Sequence, residues 1–534
     1  MTMDMTKKKL SVDQVNVVSS NLMANEIDMS NIHYDNEHLH YPTSLKTAVD
    51  GIDVTKKSQL VRQKESALAV LTAFASSLTE PIKAQYIDLE RDSFPTQDIE
   101  ATQVVAGTMA PKDAIFLMEL ADKMESDYHH YLIKDGVIAD SSNGDVSCEH
   151  IAHWQQDVAI MADIGVDAYR LSLSWCRVML EDGTVNLEGV KFYINLFQAL
   201  KAHGIKIFVT FYHWDLPDYL DSQGGWLNRQ TAYEFANYVE TITPYISPYV
   251  DSFATLNEPF CSAYLGYELG IHAPGHTSQK AGKIAAHNLL LAHGLAMEVL
   301  NRLSPSTENG IVLNFSPCYP LTNSDQDALA CRHADEYLNL WYLMPLLEGR
   351  YPDIADLLPD DVKPEIAEGD MAIIAAPLDF IGINYYTRKV YQAGNNVLFK
   401  EVSTNEYAKT AMGWEIVPSA FFDLLTDLNN RFELPNIYIT ENGAAFDDEI
   451  LDGEVNDLAR IDYIDEHLLA VEQAIQHGVP IKGYFVWSLL DNFEWSEGYT
   501  KRFGIVHVDY KTQKRTLKQS ALAYKALINA RNSN

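Results

Sequence analysis

The sequence predicts an α/β fold: a (β/α)8 TIM barrel whose first strand is atypical or degenerate. Three observations predict it. From about residue 137, short β-branched or aromatic runs alternate with helical patterns and glycine punctuation, the pattern of parallel strands joined by right-handed crossovers. Seven such strands are legible, one short of a closed barrel. At their carboxyl ends, which share one face in such a barrel, apolar residues give way to polar and aromatic ones.

The elements follow in order. Glu149–Ile164 places Ile151, Trp154, Val158 and Met161 on one helical face, and Gly165 stops it. Asp167–Trp175 reads as a strand, Leu187–His203 as a helix ended by Gly204, and Ile205–His213 as a second strand. Thr231–Ile242 presents Phe235, Tyr238, Val239 and Ile242 at helical spacing. Further strands are expected at Ser252–Glu258, Gly310–Ser316, Leu378–Tyr386, Asn436–Glu441 and Ile481–Leu489, and a last helix from about Ser520. Ala101–Gly107 is the upstream stretch best suited to an eighth strand. Residues 1–90 read as an N-terminal extension, partly disordered or helical, with Ser58–Leu78 as its amphipathic segment. The barrel is expected over 91–534.

Composition narrows the function. Acidic residues number 74 against 40 basic, a net charge of −34. Such a chain repels phosphate backbones and anionic bilayers, so neither nucleic acid nor membrane is expected as a partner. The apolar run Ala67–Leu78 is too short to span a bilayer, which takes about 20 residues. Five widely spaced cysteines without a CxxC pair fit a reducing compartment, and a cytoplasmic location is expected. His150 and His153 lie three apart on a helix, but no carboxylate or thiolate completes a metal set, so neither metal nor cofactor is expected.

The strand ends carry the chemistry. They read Arg170 and Trp175; His213, Trp214 and Asp215; Asn257 and Glu258; Asn384, Tyr385 and Tyr386; Glu441 and Asn442; then Trp487, Asp491, Glu494 and Trp495. A pocket of carboxylates, amides and indoles suits a carbohydrate, whose hydroxyls need hydrogen-bond partners and whose C–H faces pack on rings. Two carboxylates at strand ends, Glu258 and Glu441, match the pair that glycosidic cleavage needs.

TLNEP around Glu258 and ITENG around Glu441 resemble the acid/base and nucleophile motifs of glycoside hydrolase family 1, the β-glucosidases. AYRLSLSW, FYHWDLP, GGWLNR, GYELGIHAPG, DFIGINYY, MGWEIVP, GYFVWSLLDNFEW and GYTKRFGIVHVDY extend the resemblance in order, from about Val137 to about Ala530. It implies a (β/α)8 barrel and a retaining mechanism on β-glucosides or short oligosaccharides. Glu441 is then the nucleophile, held by Arg170 and Tyr386, and Glu258 the general acid and then base. In the sugar site it implies His213 at the 3-hydroxyl, Asn257 at the 2-hydroxyl, Glu494 and Trp495 at the 4- and 6-hydroxyls, Trp487 as stacking floor and Trp414 near the aglycone, with Trp214 and Asn384 beside them. The Glu494-Trp495 pair favours unphosphorylated glucosides over their 6-phosphates. The resemblance leaves a homo-oligomer open.

The family's opening strand, of the type FLWGxATSAYQIEG, is not found. A catalytically impaired sugar-binding barrel therefore stands as an alternative to the β-glucosidase, and a 6-phospho-β-glucosidase is the other alternative among enzymes.

Overall fold

The computed structural model describes residues 138–532 and three short strands nearer the amino terminus. The chain divides into two units, Met1–Asp122 and Lys123–Asn534. In the first, Thr2–Asp4, His33–Tyr34 and Leu39–Pro42 pair as an antiparallel sheet. The expected segments Ser58–Leu78 and Ala101–Gly107 lie outside the described residues.

The second unit is built on seven parallel strands: β1 Ala168–Ser172, β2 Lys206–Tyr212, β3 Ser252–Asn257, β4 Glu308–Phe315, β5 Phe380–Tyr385, β6 Asn436–Asn442 and β7 Ile481–Val486. They pair in chain order, β1 beside β2 through to β6 beside β7. Helices α1 (His150–Ile164), α2 (Leu187–Ala202), α3 (Gln230–Ile246), α4 (Gln279–Leu303), α5 (Pro418–Arg431), α6 (Leu458–Gln476) and α7 (Gln519–Asn532) form the outer layer. All seven expected strands are present, within a few residues of their expected ends.

Local chemistry fixes the helix ends. The Asn186 side chain accepts from Gly189 N–H at the start of α2, and Ser278 accepts from Ala281 N–H at the start of α4. Gly165 closes α1 at φ 84°, a left-handed conformation that glycine adopts without steric penalty. The wall and the outer layer share a core in which Trp175 stacks on Tyr238 with centroids 4.7 Å apart. Trp175 is a correction to the strand-end reading. The chain leaves β1 at Ser172 and turns into a short helix over Trp175–Val178, so this indole packs inward and not into the pocket.

Helices α4, α5, α6 and Asp325–Asp335 are among those with no counterpart in the sequence reading. In α4, buried Lys283, His287, Asn288 and His293 interrupt the apolar pattern and conceal its period. A small sheet of Cys318–Pro320, Lys389–Gly394 and Val397–Val402 is likewise not legible in the sequence.

Among the described residues no strand lies between β1 and β7. β3 and β5 are wholly buried, whereas β1 is half-buried throughout its length and β7 over most of it. A cavity of about 1080 Å³ runs along these two edges, between Tyr169 and Leu171 on one side and Tyr484 and Phe485 on the other, and reaches Arg170, His213 and Trp487.

Candidate active site

The chemistry gathers where β1, β3, β5 and β6 end. The β5–β6 pairing shifts register between Ile439 and Glu441, and the β3–β4 pairing between Ala254 and Asn257. Such irregularities re-aim side chains next to functional sites. Three site residues, Trp214, Glu258 and Trp495, have φ values of 83°, 44° and 45°. Positive φ is uncommon outside glycine and clusters where the surroundings over-determine the backbone. At Gly443 an added Cβ would lie 1.8 Å from the Trp487 carbonyl oxygen, so only glycine lets the chain after Glu441 approach Trp487.

The polar groups form one connected network. Arg170 donates from Nη1 to Glu441 Oε1 at 2.8 Å and from Nη2 to Asn257 Oδ1 at 2.6 Å. Tyr386 donates its hydroxyl to Glu441 Oε2 at 2.6 Å. Asn384 Nδ2 reaches Glu258 Oε1 at 2.6 Å and Asn257 Oδ1 at 3.2 Å, and its own Oδ1 accepts from Thr440 Oγ1 at 2.6 Å. Glu441 thus receives a cation and a hydroxyl donor, while two amides bridge Arg170 to Glu258.

The amides also settle a tautomer. Asn257 Oδ1 is taken by Arg170 and Asn384, so Nδ2 faces His213 Nε2, at 3.1 Å. Nε2 must then accept, leaving the proton on Nδ1, 3.1 Å from Ser172 Oγ. Burial, then Arg170, lowers the His213 pKa to about 3, which keeps the ring neutral.

The aromatic residues line the same mouth. The His213 ring lies 6.0 Å from both Trp487 and Trp495, with near-parallel planes. Trp495 lies 4.8 Å from Trp214, whose indole N–H donates to the Asn257 carbonyl at 2.9 Å. Trp414 packs 5.4 Å from Tyr386. Glu494 adjoins Trp495 in the chain and lies in the field of Glu441 and Glu258. The candidate residues named from the resemblance all gather at this mouth.

Other strand-end residues serve the scaffold instead, Tyr385 among them, whose hydroxyl donates to the Val417 carbonyl at 2.8 Å. Asn442 donates to the Tyr385 carbonyl at 2.8 Å and accepts from Tyr484 at 2.6 Å. Asp491 is buried between Arg502 Nη1 at 2.6 Å and Lys518 Nζ at 2.8 Å. That network extends through Asp448 to Arg460 and pins the segment between Trp487 and Trp495 to the end of the chain. Sequence reasoning misses Ser172, Thr440 and Cys261. Only the position of Cys261, three residues beyond Glu258, gives a signal. Among the described residues there is no metal-binding cluster and no helix long and apolar enough to cross a membrane.

Burial and the neighbouring Glu441 raise the Glu258 pKa to about 7. A carboxyl raised in the folded state contributes stability that is full below its unfolded value and is lost as pH rises through the folded value. The window is therefore about 4.5 to 7. Glu258→Gln, which removes the buried charge, should raise Tm at pH 8 by about 2–4 °C and leave it unchanged at pH 4. Thermal melts at the two pH values measure this, and an equal shift at both would contradict it.

The sequence matches the family model of glycosyl hydrolase family 1 over residues 119–533. It is 42% identical over 408 residues to β-glucosidase A of Thermotoga maritima, covering 75% of this chain and 91% of that protein. It is 41% identical over 392 residues to a β-glucosidase of Agrobacterium sp., covering 72% and 85%. The structure superposes on the family 1 β-glucosidase of Exiguobacterium antarcticum B7 with a TM-score of 0.74 at 42% identity, covering 77% of this chain and 93% of that one. A Thermotoga maritima β-glucosidase in complex with deoxynojirimycin gives 0.74 at 40% identity, covering 76% and 92%. A carboxylate pair in a hydrogen-bonded pocket at the strand ends and a family match spanning the barrel lead to one assignment: the chain belongs to glycosyl hydrolase family 1 and is a glycoside hydrolase.

Proposed function

We propose that the protein is a retaining β-glucosidase that releases terminal β-D-glucosyl residues from short β-glucosides. One observation carries the reading: two carboxylates in one pocket sit in opposite environments. Glu441 accepts from the Arg170 guanidinium and the Tyr386 hydroxyl. Glu258 is buried and its pKa is raised to about 7, which suits a proton donor at neutral pH.

In the first step a Glu441 oxygen bonds to the anomeric carbon as the bond to the aglycone breaks, and the Glu258 proton passes to the departing oxygen. A glycosyl ester remains. In the second step water gives a proton to Glu258 and its oxygen attacks the anomeric carbon, releasing Glu441 and restoring the β configuration. Asn257 takes the 2-hydroxyl, His213 the 3-hydroxyl through Nε2, and Glu494 and Trp495 the 4- and 6-hydroxyls. Trp487 forms the floor, and Trp414 faces the aglycone. His213 Nε2 meets Asn257 Nδ2 here, so a sugar hydroxyl replaces an internal contact.

Trapping tests the reading. A 2-fluoro-glucoside with a good leaving group should add one 2-fluoroglucosyl mass to the intact protein and to the peptide containing Glu441. A second reading, a sugar-binding barrel without turnover, is motivated by the missing opening-strand motif FLWGxATSAYQIEG in the sequence, and folded protein that stays unlabelled would favour it. The substrate class follows from charge. A 6-phosphate would add a dianion within the field of Glu258 and Glu441, where burial and those two carboxylates already disfavour negative charge on Glu494 and raise its pKa to about 8. p-Nitrophenyl β-glucoside should therefore outrun its 6-phosphate by about 100-fold in kcat/KM, roughly 2.7 kcal/mol of discrimination. Faster turnover of the phosphate would reverse the assignment.

A further inference from the structure

We propose that Cys261 is a positioning residue for Glu258: its thiol holds one carboxyl oxygen and exchanges the donor role for the acceptor role as Glu258 passes from base to acid. The inference rests on the reading of Glu258 as the acid/base.

The geometry is local. Glu258 closes β3 with φ 44°, and the chain turns into a helical segment, Cys261–Glu268, whose first N–H donates to the Glu258 carbonyl at 2.8 Å. That turn brings Cys261 Sγ to 2.9 Å from Glu258 Oε2. Both residues are buried, at 6% and 5% exposure. The opposite oxygen, Oε1, faces Asn384 Nδ2 at 2.6 Å.

The two partners differ in kind. Asn384 cannot reverse its role, because its Oδ1 accepts from Thr440 and its Nδ2 also serves Asn257, so it always presents N–H to Oε1. An acid proton is thereby directed to Oε2, the oxygen opposite the thiol. A thiol is a rotor with one weak donor and a weakly accepting sulfur. It can donate to Oε2 when Glu258 is ionised and accept from Oε2–H when it is not. Burial and the charge of Glu258 push the Cys261 pKa well above the ordinary thiol range, so the S–H is retained while Glu258 titrates.

The other groups that act on Glu258 are Glu441, which raises its pKa, and Arg170 and Asn384, which lower it. Tyr386 and Glu494 also feel its charge. All of these remain when Cys261 is replaced, so a displaced titration reports the lost thiol.

The test is the pH dependence of kcat/KM on p-nitrophenyl β-glucoside for the wild type, Cys261→Ala and Cys261→Ser. A donor to the ionised form lowers a carboxyl pKa. Its removal in C261A should move the falling limb upward by about half a pH unit, the scale of one ordinary hydrogen bond. C261S, whose hydroxyl both donates and accepts, should return the limb to the wild-type position. Cys261→Val fills the space without a donor and carries the same expectation as alanine if the smaller side chain prevents folding. A limb that stays in place in C261A or C261V, whatever the fall in rate, overturns the inference, because a packing role lowers activity equally at every pH. Azide rescue of Glu258→Ala is measured alongside. Rescue together with an unmoved limb overturns the role of Cys261 alone, and failure of rescue overturns the acid/base reading and this inference with it.

Discussion

Glu441→Gly should lose hydrolysis of β-glucosides by about four orders of magnitude or more, about 5.4 kcal/mol of transition-state stabilisation. The reason lies in what the substitution leaves behind. Arg170 and Tyr386 keep their places, but the oxygens they hold are gone, so no group can form the ester on the α face of the sugar. Binding should suffer much less, because His213, Asn257 and Trp487 stand on other strands and loops. The vacated volume also gives the result a stereochemical signature. Azide entering beside Arg170 attacks from the side the carboxylate occupied, so an activated β-glucoside should yield the α-glycosyl azide. Steady-state kinetics and product NMR check both parts. A variant retaining a tenth of wild-type activity, or giving only the β product with azide, would remove Glu441 from the nucleophile position.

The two carboxylates are legible in the amino-acid sequence for a physical reason. A parallel barrel gathers its strand ends on one face, so a polar residue ending a β-branched run is visible in one dimension and has a known destination in three. Glu258, Glu441, Asn257, Asn384 and Arg170 are legible on this ground. Trp175 and Asp491 mislead because strand endings vary by a few residues. A chain that turns after Ser172 buries Trp175, and Asp491 is drawn to Lys518 and Arg502, residues that become its neighbours only in the fold. Helix α4 escapes because its buried Lys283, His287 and His293 break the apolar period. Ser172 and Thr440 are illegible because each acts through a partner on another strand or its end, His213 and Asn384 respectively.

Glu258→Ala should separate substrates by their leaving groups. A departing alkoxide of high basicity needs a proton in the transition state, whereas a dinitrophenolate leaves unaided, so kcat/KM should fall by about 10²–10⁴ for cellobiose-like substrates and far less for the dinitrophenyl glycoside of the same sugar. The second half of the reaction should then limit the activated substrate, because the base that deprotonates water is also missing. A burst of dinitrophenolate followed by slow turnover is the expected time course. Azide needs no deprotonation. It enters on the β face, where water would have stood, and should restore turnover while giving the β-glycosyl azide, the opposite anomer to that from Glu441→Gly. The contrast follows from the site itself: Glu441 lies against Arg170 and Tyr386, and Glu258 against Asn384 and Cys261, so each variant opens a different flank of the same sugar. Equal losses for good and poor leaving groups, with no rescue by azide, would show that Glu258 neither gives nor takes the proton.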